Sequence, residues 1–324
     1  SVGLVAGQPA EQGVNESTTV EIDSALTQDT EQQTVIVRLS GRPENAVRTT
    51  AKENQVASMK THAADTRSPF ERFASGNPHV EIKQEFWITN ALVVTVDRSQ
   101  IPLERLGTVK NVERIHENFE IEAASSAPAA GNTVGANNIS TTSTGSYTWG
   151  LQAINVPQTW DRFGAQGQGV DVAVLDTGVD DSHPDIQVEQ WKDFDDSPAT
   201  EAKDYGDHGT HVSGTVVGGN SSGTHIGVAP KADLWHGAVL TECDSEGCSG
   251  SFATVTEGIQ WATNNSADVV SMSLGADGYS TDLIDPIQNA RQAGTLPIAS
   301  SGNSGVDTSS TPGNVYESVG VGAT

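Results

Sequence analysis

The sequence predicts an α/β protein in two parts, a small βαββαβ unit followed by a larger, doubly wound parallel sheet. Three observations carry that prediction. In the second half, short Val/Ile/Leu-rich runs alternate with helical stretches, the pattern of a parallel sheet covered on both faces. In the first half, strands with period-2 alternation flank one long stretch rich in Ala, Lys, Glu and Thr. Between them, residues 123–145 are dominated by Ala, Ser, Thr, Gly and Asn, the composition of a linker.

Each element follows from its local pattern. Residues 1–33 are polar and without periodicity, so little order is expected there. Their opening Ser-Val-Gly-Leu-Val-Ala-Gly suits the tail of a signal peptide but is too short to define one. Thr34 to Ser40 reads as a strand and residues 44–73 as a helix. Val80, Ile82, Gln84 and Phe86 alternate with polar neighbours, as do Leu92, Val94 and Val96, giving two strands around Thr89-Asn90. Ile101 to Leu106 reads as a short helix and Val112 to Ile121 as a last strand, so residues 34–122 suit a split-βαβ sandwich.

The larger part, 146–324, has buried-strand runs at Val170–Leu175, Leu234–Leu240, Asp268–Leu274 and Thr295–Ser300. Helical stretches lie between them at about 208–218, 252–264 and 282–293. Ligands of such sheets gather at the carboxyl ends of the strands, which singles out Asp176, Gly275 and Asn303.

Charge narrows the function. Acidic residues number 42 against 17 basic ones, a formal net charge of −25. Phosphate contacts need clustered Lys and Arg, so a nucleic-acid partner is not expected. No apolar run approaches the roughly 20 residues of a membrane helix, so no membrane partner is expected either. The excess is uneven: residues 1–124 carry a net −6 and residues 125–324 a net −19. Such a surface repels itself in dilute buffer and is screened by salt. Adaptation to a saline environment and ordinary secreted acidity both account for it.

Two local patterns carry chemistry. Val174-Leu-Asp-Thr-Gly-Val-Asp-Asp-Ser-His-Pro-Asp185 ends a buried strand with Asp176, which the following Thr-Gly turn aims away from the sheet. Asp207-His-Gly-Thr-His-Val-Ser-Gly214 places His208 in the first turn of a helix that Asp207 can cap. A carboxylate fixes an imidazole's tautomer, and the imidazole takes a nucleophile's proton, so these are two thirds of a nucleophilic triad. Singly, each has a plain alternative: Asp176 as a turn former, His208 and His211 as packed helix residues or a metal pair. Both in one chain, in this order and with Ser301-Gly-Asn-Ser-Gly305 after them, favour catalysis.

On these motifs the sequence resembles the subtilisin-like serine proteases, and its acidity is similar to that of the secreted halolysin-type members. Asp176-Thr-Gly178 resembles the family's catalytic Asp motif and His208 to Gly214 its His motif. Ser271-Met-Ser-Leu-Gly275 resembles the substrate-cleft strand and Ser301-Gly-Asn303 the oxyanion-hole loop. The likeness covers about 146–324, while residues 34–122 resemble, more weakly, the inhibitory propeptide. It implies a subtilisin-like doubly wound sheet, incomplete at its C-terminal end. By the resemblance Asp176 orients, His208 is the general base in preference to His211, and Asn303 donates its amide to the developing oxyanion. Ser249 and Gly250 on one side, and Ser273, Leu274 and Gly275 on the other, would flank a peptide as strand edges.

The family's third motif, Gly-Thr-Ser-Met-Ala before a Pro, is absent. That departure predicts a fragment of a precursor lacking the nucleophilic serine, with a naturally truncated pseudoenzyme as the alternative. Cys243 and Cys248 are spaced for a small loop-closing disulfide, which fits an extracellular protein, while two reduced thiols remain the alternative. The resemblance also puts a structural calcium site near Asp185, Asn220 and Ser221, but Ser221 replaces the usual amide ligand, and calcium stays open. No cofactor is required for the chemistry. The resulting expectation is a secreted serine endopeptidase precursor acting on protein or peptide substrates, restrained in cis by its own propeptide. The competing class is a non-catalytic inhibitor or chaperone-type binding module built on the first domain. An intact Asp/His pair separates the two.

Overall fold

The computed structural model describes residues 20–27, 31–41, 52–124 and 146–322. Most of the expected linker, most of residues 1–33, and the start of the helix expected from 44 lie outside the described residues.

The N-terminal unit is built on a five-stranded sheet in the order β1-β5-β2-β4-β3. Its strands are β1 (Glu21–Ile22), β2 (Gln32–Leu39), β3 (Val80–Phe86), β4 (Ala91–Asp97) and β5 (Val112–Glu117). Val35, Val37, Leu92, Val94 and Ile115 point to one buried face, as period-2 alternation requires. Helix α1 (Lys52–Ser75) presses Phe70 onto that face, and α2 (Leu103–Gly107) adds Leu103 and Leu106. Where the sequence suggests little order, Glu21–Ile22 pairs in parallel with Arg114 and Ile115, and the Asp23 N–H reaches the Ile115 carbonyl.

The larger unit is a six-stranded, all-parallel sheet in the order β16-β14-β12-β7-β9-β8. Its strands are β7 (Asp171–Asp176), β8 (Val188–Asp193), β9 (Asp233–Ala238), β12 (Val269–Met272), β14 (Leu296–Ser300) and β16 (Val319–Val321). Helix α5 (His208–Val217) packs on β7 and β9, while α6 (Phe252–Asn264) and α7 (Ile284–Ala293) cover β7 and β14. Central strands such as β7 read as unbroken apolar runs because helices bury both faces. Short helices α3 (Trp149–Ala153) and α4 (Val156–Phe163) precede the sheet.

Two expected strands are divided. The run 112–121 breaks after Glu117 because Asn118 Oδ1 accepts the Ala253 N–H and the Phe119 carbonyl accepts the Phe252 N–H. The chain then continues as β6 (Glu120–Ala123), which leaves its own sheet and joins another. The run 268–274 breaks at Ser273, where the chain passes from β12 into β13 (Leu274–Asp277). Both departures build one mixed-origin sheet, β10-β11-β6-β13-β15, with β10 (Glu242–Cys243), β11 (Cys248–Ser251) and β15 (Ser310–Thr311).

The units share a core: Met59, Ala63, Trp87 and Ile88 pack with Ala262, Ile287 and Ala290. Polar contacts fix the register, with the Trp87 N–H donating to Gln260 Oε1 at 2.8 Å and Asn289 Nδ2 donating to the Ile88 carbonyl at 2.7 Å.

Candidate active site

Asp176 ends β7 with no solvent exposure, one residue beyond the fully buried Leu175. Its main-chain carbonyl accepts the N–H groups of Val239 and Leu240, which fixes the strand end. The turn after it needs glycine: Gly178 has φ 112°, and a Cβ there would stand 1.9 Å from the Lys203 carbonyl oxygen. The Asp176 carboxylate accepts the Thr177 N–H at 2.7 Å and, at the same oxygen, His208 Nδ1 at 2.7 Å. Burial pushes the Asp176 carboxyl up, opposed by the bonds from His208 and Thr177. Its hydrogen bond to Asp176 raises His208 above the usual imidazole value against the cost of its partial burial. Nδ1 therefore carries the proton, and Nε2 is free to accept one.

The support beneath this pair comes from a residue that the motifs do not flag. Asp207 stands at the N-cap of α5 but at φ 61°, and its side chain makes no capping bond. Asp204 does that work instead. Its Oδ2 accepts both the N–H and the hydroxyl of Thr210 in the first turn, and its Oδ1 accepts the hydroxyl of Thr177 at 2.6 Å. Thr177 Oγ1 in turn accepts the Gly209 N–H at 2.8 Å. One carboxylate so ties the Asp176 turn to the His208 helix and places negative charge at a helix N-terminus. The only sequence signal is a carboxylate four residues before His208, which the left-handed turn at Asp207 makes the cap. His211, three residues further along α5, is exposed and turned away from Asp176 into an apolar groove with Trp149 and Leu151.

Facing the pair is strand β6 of the N-terminal unit, seated between β11 and β13. Ser249 opposes Glu122 and Gly250 opposes Ile121 on one side, while Leu274 opposes Ala123 and Gly275 opposes Glu122 on the other. The next residue, Ala124, donates its N–H to the Ser273 carbonyl at 2.8 Å. Its own carbonyl accepts Asn303 Nδ2 at 3.1 Å and lies beside the His208 ring. All five expected strand-edge residues thus line one extended segment whose last carbonyl meets both Asn303 and His208. The loop that carries Asn303 turns at Gly302, at φ 97°, where a Cβ would lie 2.1 Å from Ser310 Oγ. Asp277 Oδ1 holds that loop through the hydroxyls of Ser304 and Ser310. Among the described residues, no serine hydroxyl bonds to His208.

Cys243 and Cys248 form a disulfide that closes the β10–β11 hairpin beside the cleft. At the expected calcium site, Asp185 Oδ1 accepts the Ser222 N–H at 3.2 Å, and Oδ2 is buried without a partner. No cluster of three His, Cys, Asp or Glu side chains fit for a metal occurs among the described residues. An orphaned carboxylate oxygen fits a hard cation, but main-chain and hydroxyl oxygens would have to complete the shell.

The subtilase family matches residues 167–324. An alkaline protease of Alkalihalobacillus alcalophilus is 38% identical over 185 residues, 57% of this chain and 47% of the relative. Subtilisin Savinase of Lederbergia lenta is 38% identical over 180 residues, 55% of this chain and 64% of the relative. Subtilisin amylosacchariticus of Bacillus subtilis subsp. amylosacchariticus is 33% identical over 248 residues, 75% of this chain and 58% of the relative. The chain spans about half to two thirds of the length of these relatives.

Proposed function

We propose, from the match of residues 167–324 to the subtilase family, that the whole protein is a secreted serine endopeptidase made as a precursor. Asp176 holds His208 in the Nδ1–H tautomer and stabilises the imidazolium that forms during acyl transfer. His208 Nε2 takes the proton of the nucleophilic hydroxyl and later delivers it to the leaving amine. We assign that hydroxyl to a serine of the full-length protein, since the Gly-Thr-Ser-Met-Ala context is absent here. Asn303 donates to the carbonyl oxygen as negative charge develops on it, a contribution of about 10²–10³ in rate. Strand edges β11 and β13 hold the peptide main chain as the middle strand, so recognition is of extended protein or peptide substrates.

One observation carries this reading: the Ala124 carbonyl accepts from Asn303 and lies beside His208, while the Ala124 N–H is held by the Ser273 carbonyl. That is the pose of a scissile carbonyl. Residues 34–122 then act in cis as the inhibitory propeptide, β6 occupies the cleft as the first substrate, and processing cuts after Ala124. Release outside the cell fits the disulfide.

Expression of the full-length precursor tests this. The mature protein should begin at Ser125, and Asp176→Asn or His208→Ala should leave the precursor uncut. A mature N-terminus elsewhere than Ser125, or normal processing of the His208 variant, would overturn the assignment.

A further inference from the structure

Strand β6 sorts its side chains sharply. Ile121 is fully buried among Leu240, Phe252 and Leu274, whereas Glu120 and Glu122 on either side of it are exposed. The outward face has a defined neighbour. Register places Glu242 opposite Ser249, Ser249 opposite Glu122, and Glu122 opposite Gly275. Residues directly opposite one another in antiparallel strands share a face, so Glu242 and Glu122 stand in one row with only Ser249 between them. Two strand spacings separate their backbones by about 9–10 Å. That gap lies within the combined reach of a glutamate and a lysine.

The row opens into a cavity of about 520 Å³, lined by Glu120, Glu122, Glu242, Asp244 and Glu246 together with the disulfide hairpin, and by no Lys or Arg. Acidity alone would not make this a binding place. The seated strand does: main-chain pairing on both edges identifies it as the position of a peptide, two residues before the Ala124 carbonyl. In the chain's own strand that position holds Glu122, a like charge facing Glu242, which weakens the strand's grip. A cation there would meet the opposite field.

We propose that the mature cleft selects peptides carrying Lys or Arg two residues before the scissile residue, with Glu242 as the specificity-determining group and the disulfide hairpin as its carrier. The inference rests on the endopeptidase reading above. It also accounts for release of the cleaved strand, whose Glu120 and Glu122 are repelled by the rim that a cationic substrate would find attractive.

Three peptides differing only in Lys, Ala or Glu at that position test it against the processed full-length protein. Specificity constants should fall in the order Lys, Ala, Glu. Exposed ion pairs are individually weak, so the Lys-to-Glu ratio should be about fivefold in dilute buffer. It should shrink toward one in molar KCl, where the Debye length is about 3 Å. Glu242→Gln should at least halve the ratio and Glu242→Asp should keep it, with circular dichroism confirming that both variants fold. A wild-type ratio of one or below in dilute buffer, or a ratio that Glu242→Gln leaves unchanged, would overturn the inference while hydrolysis itself continues. Absence of hydrolysis of all three peptides would overturn the endopeptidase reading, and this inference with it.

Discussion

His208 and His116 each sit beside an aspartate, yet one holds a proton more firmly than a free imidazole and the other gives it up. At the end of β7, His208 Nδ1 bonds directly to Asp176 at 2.7 Å, and that bond raises its affinity for the proton. At the contact between the two units, His116 is fully buried and spends Nδ1 on the Glu117 carbonyl at 2.8 Å. Asp282 lies 3.7 Å from its Nε2 but is claimed by Arg114 Nη1 at 2.6 Å, and Arg38 stands close by on Asp285 and the Asp282 carbonyl. Burial is the largest cause of the shift there, and the His116 value drops to about 4. A histidine and an aspartate in proximity do not make an acid–base pair. The pair arises where no cation competes for the carboxylate and the bond is short.

The largest effect that follows separates the two histidines by chemistry. In the full-length protein, Asp176→Asn should lower kcat about 10⁴-fold by destroying the tautomer, and His208→Ala should do at least as much. His116→Gln and His211→Ala should each leave kcat within about threefold. Peptide hydrolysis measured beside circular dichroism reads both. A His116 variant as inactive as the His208 variant would erase the distinction.

Next in size is Asp204→Ala, which orphans the Thr177 hydroxyl and the Thr210 and Gly206 N–H groups. Losing a helix cap costs about 0.5–2 kcal/mol. The turn bearing Asp176 would also come loose from the helix bearing His208, and a small misplacement can cost up to about 10² in rate. Lower kcat with unchanged KM, and a lower melting temperature, is the expected result. Asp207→Asn, which tolerates the left-handed backbone at φ 61°, should leave both unchanged, because the Asp207 side chain makes no cap bond.

Those two aspartates also mark where the sequence stops being legible. Strands β7 and β14 and helices α5, α6 and α7 follow from local apolar pattern, because a segment buried on both faces advertises itself in its own residues. Asp176 and His208 follow from motifs whose spacing is local as well. Asp204 does not, because its role depends on the left-handed turn at Asp207 that swings the nearer carboxylate away. Strand β6 was hidden for a similar reason. Its apolar Ile121 suits continuation of β5, and only the partners Asn118 and Phe119 find in α6 turn it out of its own sheet. Ala124 carries no sequence signal at all, being a small residue at the edge of a Ser/Ala-rich stretch.

A smaller effect belongs to the contact between the units. Arg114→Ala leaves Asp282, a mostly buried carboxylate, without its closest cation. A hydrogen bond to a charged group is worth about 1.5–3 kcal/mol, so inhibition by the purified N-terminal unit should weaken roughly ten- to a hundredfold. The same variant should leave hydrolysis by the mature protein unaltered, since Arg114 lies in the unit proposed as the propeptide. Unchanged inhibition would mean that the shared apolar core of Trp87, Ile88, Ile287 and Ala290 carries the contact alone.

The smallest effect is the pH dependence of stability, where the two histidines should pull in opposite directions. His116 has a folded value of about 4, below the ordinary 6.5, so its neutral form is the one the fold prefers. Its contribution is present in full above about pH 6.5 and is lost as pH falls from there toward 4. His208 is raised in the folded state by Asp176, so its contribution is complete below about pH 6.5 and is lost as pH rises through the raised value. The buried His236, lowered to about 3 by desolvation, adds to the acid-side loss and must be held constant in the comparison. Thermal melts of the uncut precursor from pH 4 to 8 should therefore fall toward acid in wild type. His116→Gln should flatten that acid limb, and His208→Gln should remove the decline above neutrality while leaving the acid limb intact. If His116→Gln left the acid limb unchanged, the proton would be refused elsewhere, and the buried contact at Asp282 would not be where pH acts on this fold.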